Sequence, residues 1–180
     1  METGTKLYSL FLSGKTDALE ELVRLYSDDL VRFAFLFVGN AAEAEDVMAD
    51  TFAALLVKRR EFREDATFKT YLYKIARNKA MDVLRARKRR APLTETGDPH
   101  PSAEELLLRS EREKQLFSAM EKLAPQYREI LQLTYLDGFS VKQCCKVLKK
   151  KEKQIYNLLA RAKLTLKEIL CKDGISYEDL

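Results

Sequence analysis

The sequence predicts an all-α protein of two small helical domains joined by a flexible linker, and three observations carry that prediction. Apolar residues recur at helical spacing along most of the chain, and no run of β-branched residues alternates with polar ones for long enough to make a sheet. Three of the four prolines fall within residues 91–101, a stretch without helical pattern that divides the chain. Helix-start signals, Asn40 with Glu43, Ser102 with Glu105 and Ser140 with Gln143, stand ahead of apolar-periodic segments.

The first long helix is predicted over residues 17–38. Leu19, Leu22, Val23, Tyr26, Leu30, Phe33 and Phe37 fall on one stripe, and Gly39 follows as the residue that ends it. Asn40 caps the next helix, which reaches about residue 60: its side-chain oxygen accepts an orphan backbone N–H, and Glu43 sits where a capping-box acid belongs. A third helix, over about residues 67–89, buries Phe68, Leu72, Ile75, Ala76, Val83 and Leu84 and leaves Tyr71, Lys74, Asn78, Asp82 and Arg85 along another face. Beyond the linker, a helix runs from Ser102 to Leu123, and Pro125 suits the first turn of one that ends at Leu136. Asp137-Gly138 makes a turn, Ser140 opens a short helix to about Leu148, and a longer helix continues through Leu170. Short helix, tight turn and longer basic helix is helix-turn-helix spacing. The expected domains are residues 1–90, a linker 91–109, residues 110–172 and a tail 173–180.

The charge is distributed in blocks. Residues 1–57 carry 4 Lys/Arg against 10 Asp/Glu (−6), and residues 58–91 carry 13 against 4 (+9). The sign then alternates: 5 against 9 over residues 92–140 (−4), 10 against 2 over residues 141–172 (+8), and 0 against 3 in the tail (−3). Two basic segments, each beside an acidic one, suggest two polyanion contacts with acidic surfaces left for another partner. Solvated basic helices are the plainer reading of either block alone.

Other classes are excluded by composition. Apolar runs such as residues 30–38 are interrupted by Arg32 and fall short of the roughly 20 residues of a spanning helix. The first residues lack the basic start and apolar stretch of a secretory signal, so a cytoplasmic location is expected. Cys144, Cys145 and Cys171 form neither an even disulfide framework nor a metal-ligand spacing, and reduced thiols are expected. The single histidine, His100, lies in the linker, the six glycines make no phosphate-cradling loop, and Glu45, Asp46 and Asp50 have no histidine partner. No catalytic residue, metal or cofactor is expected.

The physical case for DNA is clearest in the second half. A helix-turn-helix sets its second helix in the major groove, with side chains near its start reaching base edges. Lys149, Lys150, Lys151 and Lys153 suit phosphates there, Gln154, Tyr156 and Asn157 suit bases, and Arg161 and Lys163 extend the basic face. Leu148, Ile155, Leu159 and Ala162 are assigned to the core. In the first half, Tyr71 and Tyr73 interleave with Lys69, Lys74, Arg77, Lys79 and Arg85, a mixture suited to stacking and tracking a single strand. Phe68 is expected to close the core instead.

A family resemblance now attaches to particular residues. Residues 42–52 (AEAEDVMADTF), 68–78 (FKTYLYKIARN) and 80–85 (AMDVLR) resemble region 2 of the sigma-70 family of RNA polymerase sigma factors. Residues 121–131 (EKLAPQYREIL) and 135–140 (YLDGFS) resemble region 4. Order and spacing match across the linker, and the two-region layout resembles the extracytoplasmic-function subfamily. The resemblance implies a non-enzymatic protein that binds core RNA polymerase, directs it to promoters and assists opening of the DNA, and that is commonly held by an anti-sigma factor.

Carried over by position, the resemblance implies polymerase docking at Glu45, Asp46, Asp50, Thr51 and Phe52. It implies contact with the minus-ten element at Lys69, Tyr71, Tyr73, Lys74, Arg77, Asn78, Asp82 and Arg85. The minus-thirty-five element would meet Lys151, Lys153, Gln154, Tyr156, Asn157 and Arg161. About 20 linker residues at about 3.3 Å each reach about 66 Å, enough to address two DNA elements together. The chain departs from the family pattern at Lys149-Lys150-Lys151, where Gly-Ile-Ser is usual, so a blunter turn and no side-chain cap are expected ahead of the last helix. Tyr71 replaces a common tryptophan, and Cys144-Cys145 replaces Ile-Ala, which points to buried packing. A stand-alone helix-turn-helix regulator and an interaction adaptor are the rival classes: the first binds duplex DNA by itself, the second binds none.

Overall fold

The computed structural model describes residues 3–58, 67–90 and 111–174. The described residues are helical with turns and contain no strand. The chain divides into two compact units, Met1–Gly97 and Asp98–Leu180.

Among the described residues the first unit holds four helices: α1 (Thr3–Leu12), α2 (Asp17–Val38), α3 (Ala41–Lys58) and α4 (Phe68–Arg90). α2 packs against each of the other three, and its fully buried Leu22, Leu30 and Phe33 meet Tyr8 and Phe11 of α1, Leu55 of α3 and Phe68, Leu72 and Tyr73 of α4 in one core. Each such side chain contributes about 1.5–3 kcal/mol by leaving water, so this cluster outweighs any ion pair on the surface. α2 ends at Gly39, whose left-handed backbone (φ 67°) lets its N–H bond Phe35 O at 2.8 Å and turn the chain into α3. Asn40 Oδ1 then accepts the Glu43 N–H at 3.0 Å, as expected of a cap. The Glu43 carboxylate is engaged elsewhere, by Arg87 of α4, which also donates to Val38 O at 2.8 Å. Arg87 thereby ties the basic end of α4 to the α2–α3 corner.

α1 was not among the expected elements. It is short, and Tyr8 on its inner face finds its partner ring, Phe68, on a helix distant in sequence. α1 and α4 meet closely at Gly4, where an added methyl group would run into the Tyr26 hydroxyl and stand 3.0 Å from Phe68 Cδ1.

The second unit holds α5 (Glu111–Glu121), α6 (Pro125–Leu131), α7 (Val141–Leu148) and α8 (Glu152–Lys172). Pro125 occupies the first turn of α6, as expected, and Arg128 donates back to Glu121 O (2.8 Å) and Leu123 O (3.2 Å), satisfying carbonyls that α5 leaves open. The helix predicted to run unbroken to Leu136 widens instead into a π-helical turn over Gln132–Leu136, where Asp137 N–H bonds Gln132 O at 2.9 Å. Ser140 and Gln143 form the predicted capping box: Gln143 N–H reaches Ser140 Oγ (3.4 Å) and Ser140 N–H reaches Gln143 Oε1 (2.9 Å). α8 lies on α5, α6 and α7 and buries Ile155, Ala162 and Leu170 against Ile130, Leu133, Cys144 and Val147 among others. Its end is fastened by Lys122, whose ammonium donates to both Asp173 carboxylate oxygens at 2.9 and 2.7 Å. The linker, the Ser102–Glu105 signal and the tail beyond residue 174 lie outside the described residues.

Candidate nucleic-acid and polymerase interfaces

α8 owes its outward face to its phase. With Ile155 and Ala162 turned inward, Lys153, Gln154, Tyr156, Asn157 and Arg161 are all exposed, spread over an arc of about 160° at about 100° per residue. Lys151, just ahead of the helix, is exposed as well. Five of the six residues predicted to meet duplex DNA therefore share one side of one basic helix about 32 Å long, and Lys151 stands at its start. Tyr156 is 58% exposed, an aromatic ring held outward without a core partner to explain it.

The turn leading into α8 is sharper than its composition suggested. Lys149 adopts the left-handed conformation (φ 54°, ψ 44°) that glycine usually supplies, and its N–H bonds Cys145 O. The expected loss of the side-chain cap at Lys151 holds, and the helix start is held in another way. Lysine offers no acceptor at the cap position, but Gln154 Oε1 reaches back to the Lys151 N–H at 2.9 Å. Gln154 thus spends its carbonyl oxygen on the helix start and has its amide nitrogen to present outward. In α7, Cys144 is buried and Cys145 half-buried; burial pushes both thiols up, most directly at Cys144, where it outweighs the hydrogen bond to Thr134.

In the first unit, α3 presents Glu45, Asp46 and Asp50 to solvent. Thr51 and Phe52 correct the sequence reading: both are buried, Thr51 with its hydroxyl bonded to Val47 O at 2.6 Å and Phe52 in the core. The helical repeat that turns Ala44, Val47 and Leu55 inward carries these two with them, so their role is packing beneath the acidic face.

α4 divides the eight residues predicted for the minus-ten element. Asn78, Asp82 and Arg85 are exposed, and Lys69, Tyr71, Lys74 and Arg77 are half-buried. Tyr73 is corrected to a core residue: it is 0% exposed, and its ring stands against Phe33 with centroids 4.9 Å apart. Lys69 lies over that ring at 5.5 Å, which gives its ammonium a local partner. Arg85 pairs with Asp82 one turn back at 3.1 Å on the open surface. Lys79, outside the predicted set, reaches Asp50 of α3 at 3.3 Å and so joins the acidic face to α4. The helix start is held by Thr67, whose hydroxyl accepts the Thr70 N–H at 3.2 Å, and by Thr5 of α1, whose hydroxyl accepts the Phe68 N–H at 3.3 Å. Sequence reasoning missed Thr5 and Tyr8, whose only signal was the short apolar pattern of residues 7–11. Among the described residues no His, Cys, Asp or Glu cluster is arranged to hold a metal ion.

Comparison with known proteins matches both units. The family model for Sigma-70 region 2 matches residues 22–90, and that for Sigma-70, region 4 matches residues 113–166. The chain is similar to the RNA polymerase sigma-H factor of Pseudomonas aeruginosa, 30% identical over 148 residues, covering 75% of this chain and 77% of that protein. It is 32% identical over 168 residues to the ECF RNA polymerase sigma factor BldN of Streptomyces coelicolor, covering 90% of this chain but 64% of that protein. Against the ECF sigma factor SigE of Mycolicibacterium smegmatis it likewise spans only 62% of the relative's length. Among solved structures, CnrH in complex with the cytosolic domain of CnrY superposes with a TM-score of 0.74 at 25% identity, covering 96% of this chain and 99% of that one. The sigma factor RpoE of Bartonella quintana, in complex with the anti-sigma factor NepR, shares the fold at a TM-score of 0.69 and 24% identity, covering 84% of this chain and 95% of that one.

Proposed function

The chain belongs to the sigma-70 family of RNA polymerase sigma factors, in its extracytoplasmic-function branch, and we propose that it binds core RNA polymerase, directs it to specific promoters and assists DNA opening. The observation that carries this reading is the pairing of two family matches, in order, with two helical units whose outward faces differ in chemistry. An acidic α3 face suits a basic polymerase surface, α4 offers one half-exposed ring and several cations to a melted strand, and α8 offers cations, amides and a ring to a duplex groove. Glu45, Asp46 and Asp50 are the residues of α3 available for docking. Lys69, Tyr71, Lys74, Arg77, Asn78, Asp82 and Arg85 are those of α4 available to the minus-ten element. Lys151, Lys153, Gln154, Tyr156, Asn157 and Arg161 serve the minus-thirty-five element.

The role is that of a binding and melting factor and not an enzyme, and it operates in the cytoplasm. No described helix is long and apolar enough to cross a membrane. An anti-sigma factor is a further partner, a reading supported by the shared fold of RpoE of Bartonella quintana, which was solved in complex with the anti-sigma factor NepR. Retention of labelled promoter fragments tests the reading: a stable complex should require the chain and core polymerase together. Duplex DNA held tightly by the chain alone would favour a stand-alone regulator, and no DNA held under either condition would favour an adaptor.

A further inference from the structure

The first unit contains an aromatic contact that the region 2 match, which begins at residue 22, does not reach. Tyr8 of α1 is 0% exposed, with its ring 4.9 Å from that of Phe68 and 6.2 Å from that of Tyr71. The Phe68 ring also stands 5.6 Å from that of Tyr26 of α2. A side-chain hydrogen bond joins Tyr8 to Tyr71. α1 is itself fastened at this spot by Thr5, which accepts the Phe68 N–H, and by the close approach at Gly4. Tyr8 is therefore an immobile phenol bonded to a half-exposed tyrosine on the helix that faces the melted strand.

We propose that Tyr8 is a positioning residue for Tyr71, fixing from beneath the ring orientation in which Tyr71 stacks on an unpaired promoter base. The inference rests on the sigma reading above and extends the DNA-facing machinery to α1. Its physical basis is preorganisation. An aromatic side chain that must be ordered on binding loses rotamer freedom at that moment, whereas one already held by a hydrogen bond to a buried partner does not. Burial, with Tyr71 adding to it, pushes the Tyr8 phenol up to about 12, so the hydroxyl keeps its proton into alkaline solution.

The test uses core polymerase loaded with the full chain and a fluorescent single strand carrying the non-template minus-ten element of a promoter that the wild-type holoenzyme transcribes. Tyr8→Phe keeps the ring and its packing and should weaken strand binding about three- to ten-fold while leaving core affinity unchanged. Tyr71→Phe should fall in the same range, and the double variant should be no weaker than the worse single, since both changes break one link. Far below the unfolding temperature, a purely structural hydroxyl would leave strand affinity unmoved. Unchanged strand binding in Tyr8→Phe, or additive losses in the double variant, would overturn the inference alone. A wild-type holoenzyme that neither transcribes nor binds any such strand would overturn the sigma reading and the inference with it.

Discussion

Lys149→Gly should stabilise the second unit. Lys149 is an L-residue in the left-handed region, at φ 54° and ψ 44°, and it is the non-glycine residue with positive φ among those described. That conformation costs an L-residue about 1–2 kcal/mol through the clash of Cβ with the following carbonyl. Glycine removes the clash but returns about 0.5–1 kcal/mol by widening the freedom of the unfolded chain. The net gain is about 0.5–1 kcal/mol, or about 2–8 °C in the midpoint for a unit of this size. The Lys149 side chain is exposed, so little packing is lost. Lys149→Ala separates conformation from charge, because it deletes the ammonium and keeps the Cβ. Thermal unfolding of both variants, following the transition of the second unit, should place glycine above wild type and alanine near it. A glycine variant no more stable than the alanine variant would refute the assignment of strain to this turn.

Three further outcomes are expected. Lys153→Ala should weaken promoter-duplex binding by the holoenzyme at all sequences alike and lower the salt slope by about 1, measured by titration at several ionic strengths; a change confined to particular bases would instead make Lys153 a base reader. Tyr8 should ionise late, because burial raises its phenol from 10.0 to about 12. Because the folded value is raised, the stability it contributes is complete below pH 10 and lost as pH rises towards 12. Tyrosinate absorbance should show a late step coincident with helix loss that Tyr8→Phe abolishes, and a smooth single titration in wild type would contradict this. Thiol labelling of the native protein should modify exposed Cys171 first and half-buried Cys145 more slowly, leaving buried Cys144 until unfolding; equal rates at all three would contradict the packing of α7.

The long helices were legible because each carries its own instructions. α2 has an apolar stripe and a terminating glycine, and α7 has Ser140 and Gln143 at capping-box spacing. α1 was not legible, because a ten-residue helix gains its stability from partners on other helices, Phe68 of α4 among them, that lie outside its own sequence. The π-turn was missed because it shifts the periodicity by a single residue. The left-handed Lys149 contradicts its residue type and is imposed by the packing of α7 and α8 on one core.

The candidate site shows the same division. On α8, Lys153, Gln154, Tyr156, Asn157 and Arg161 lie opposite Ile155 and Ala162, so phase alone placed these five. On α3 and α4, resemblance grouped neighbours in sequence, and neighbours on a helix point about 100° apart. Tyr73 stands three residues before buried Ala76 and seven before buried Ala80, and Thr51 stands four after buried Val47. These spacings carried the inward signal that the motif itself did not.

The central claim, that this chain programs core polymerase, is tested most directly by run-off transcription from a pool of genomic promoters with bacterial core enzyme, with and without the chain. The account predicts promoter-specific transcripts that appear only when the chain is added and disappear with Asp50→Arg, which reverses a charge on the exposed face of α3. Transcripts unchanged by the chain, with a core enzyme that responds to its other sigma factors, would contradict it.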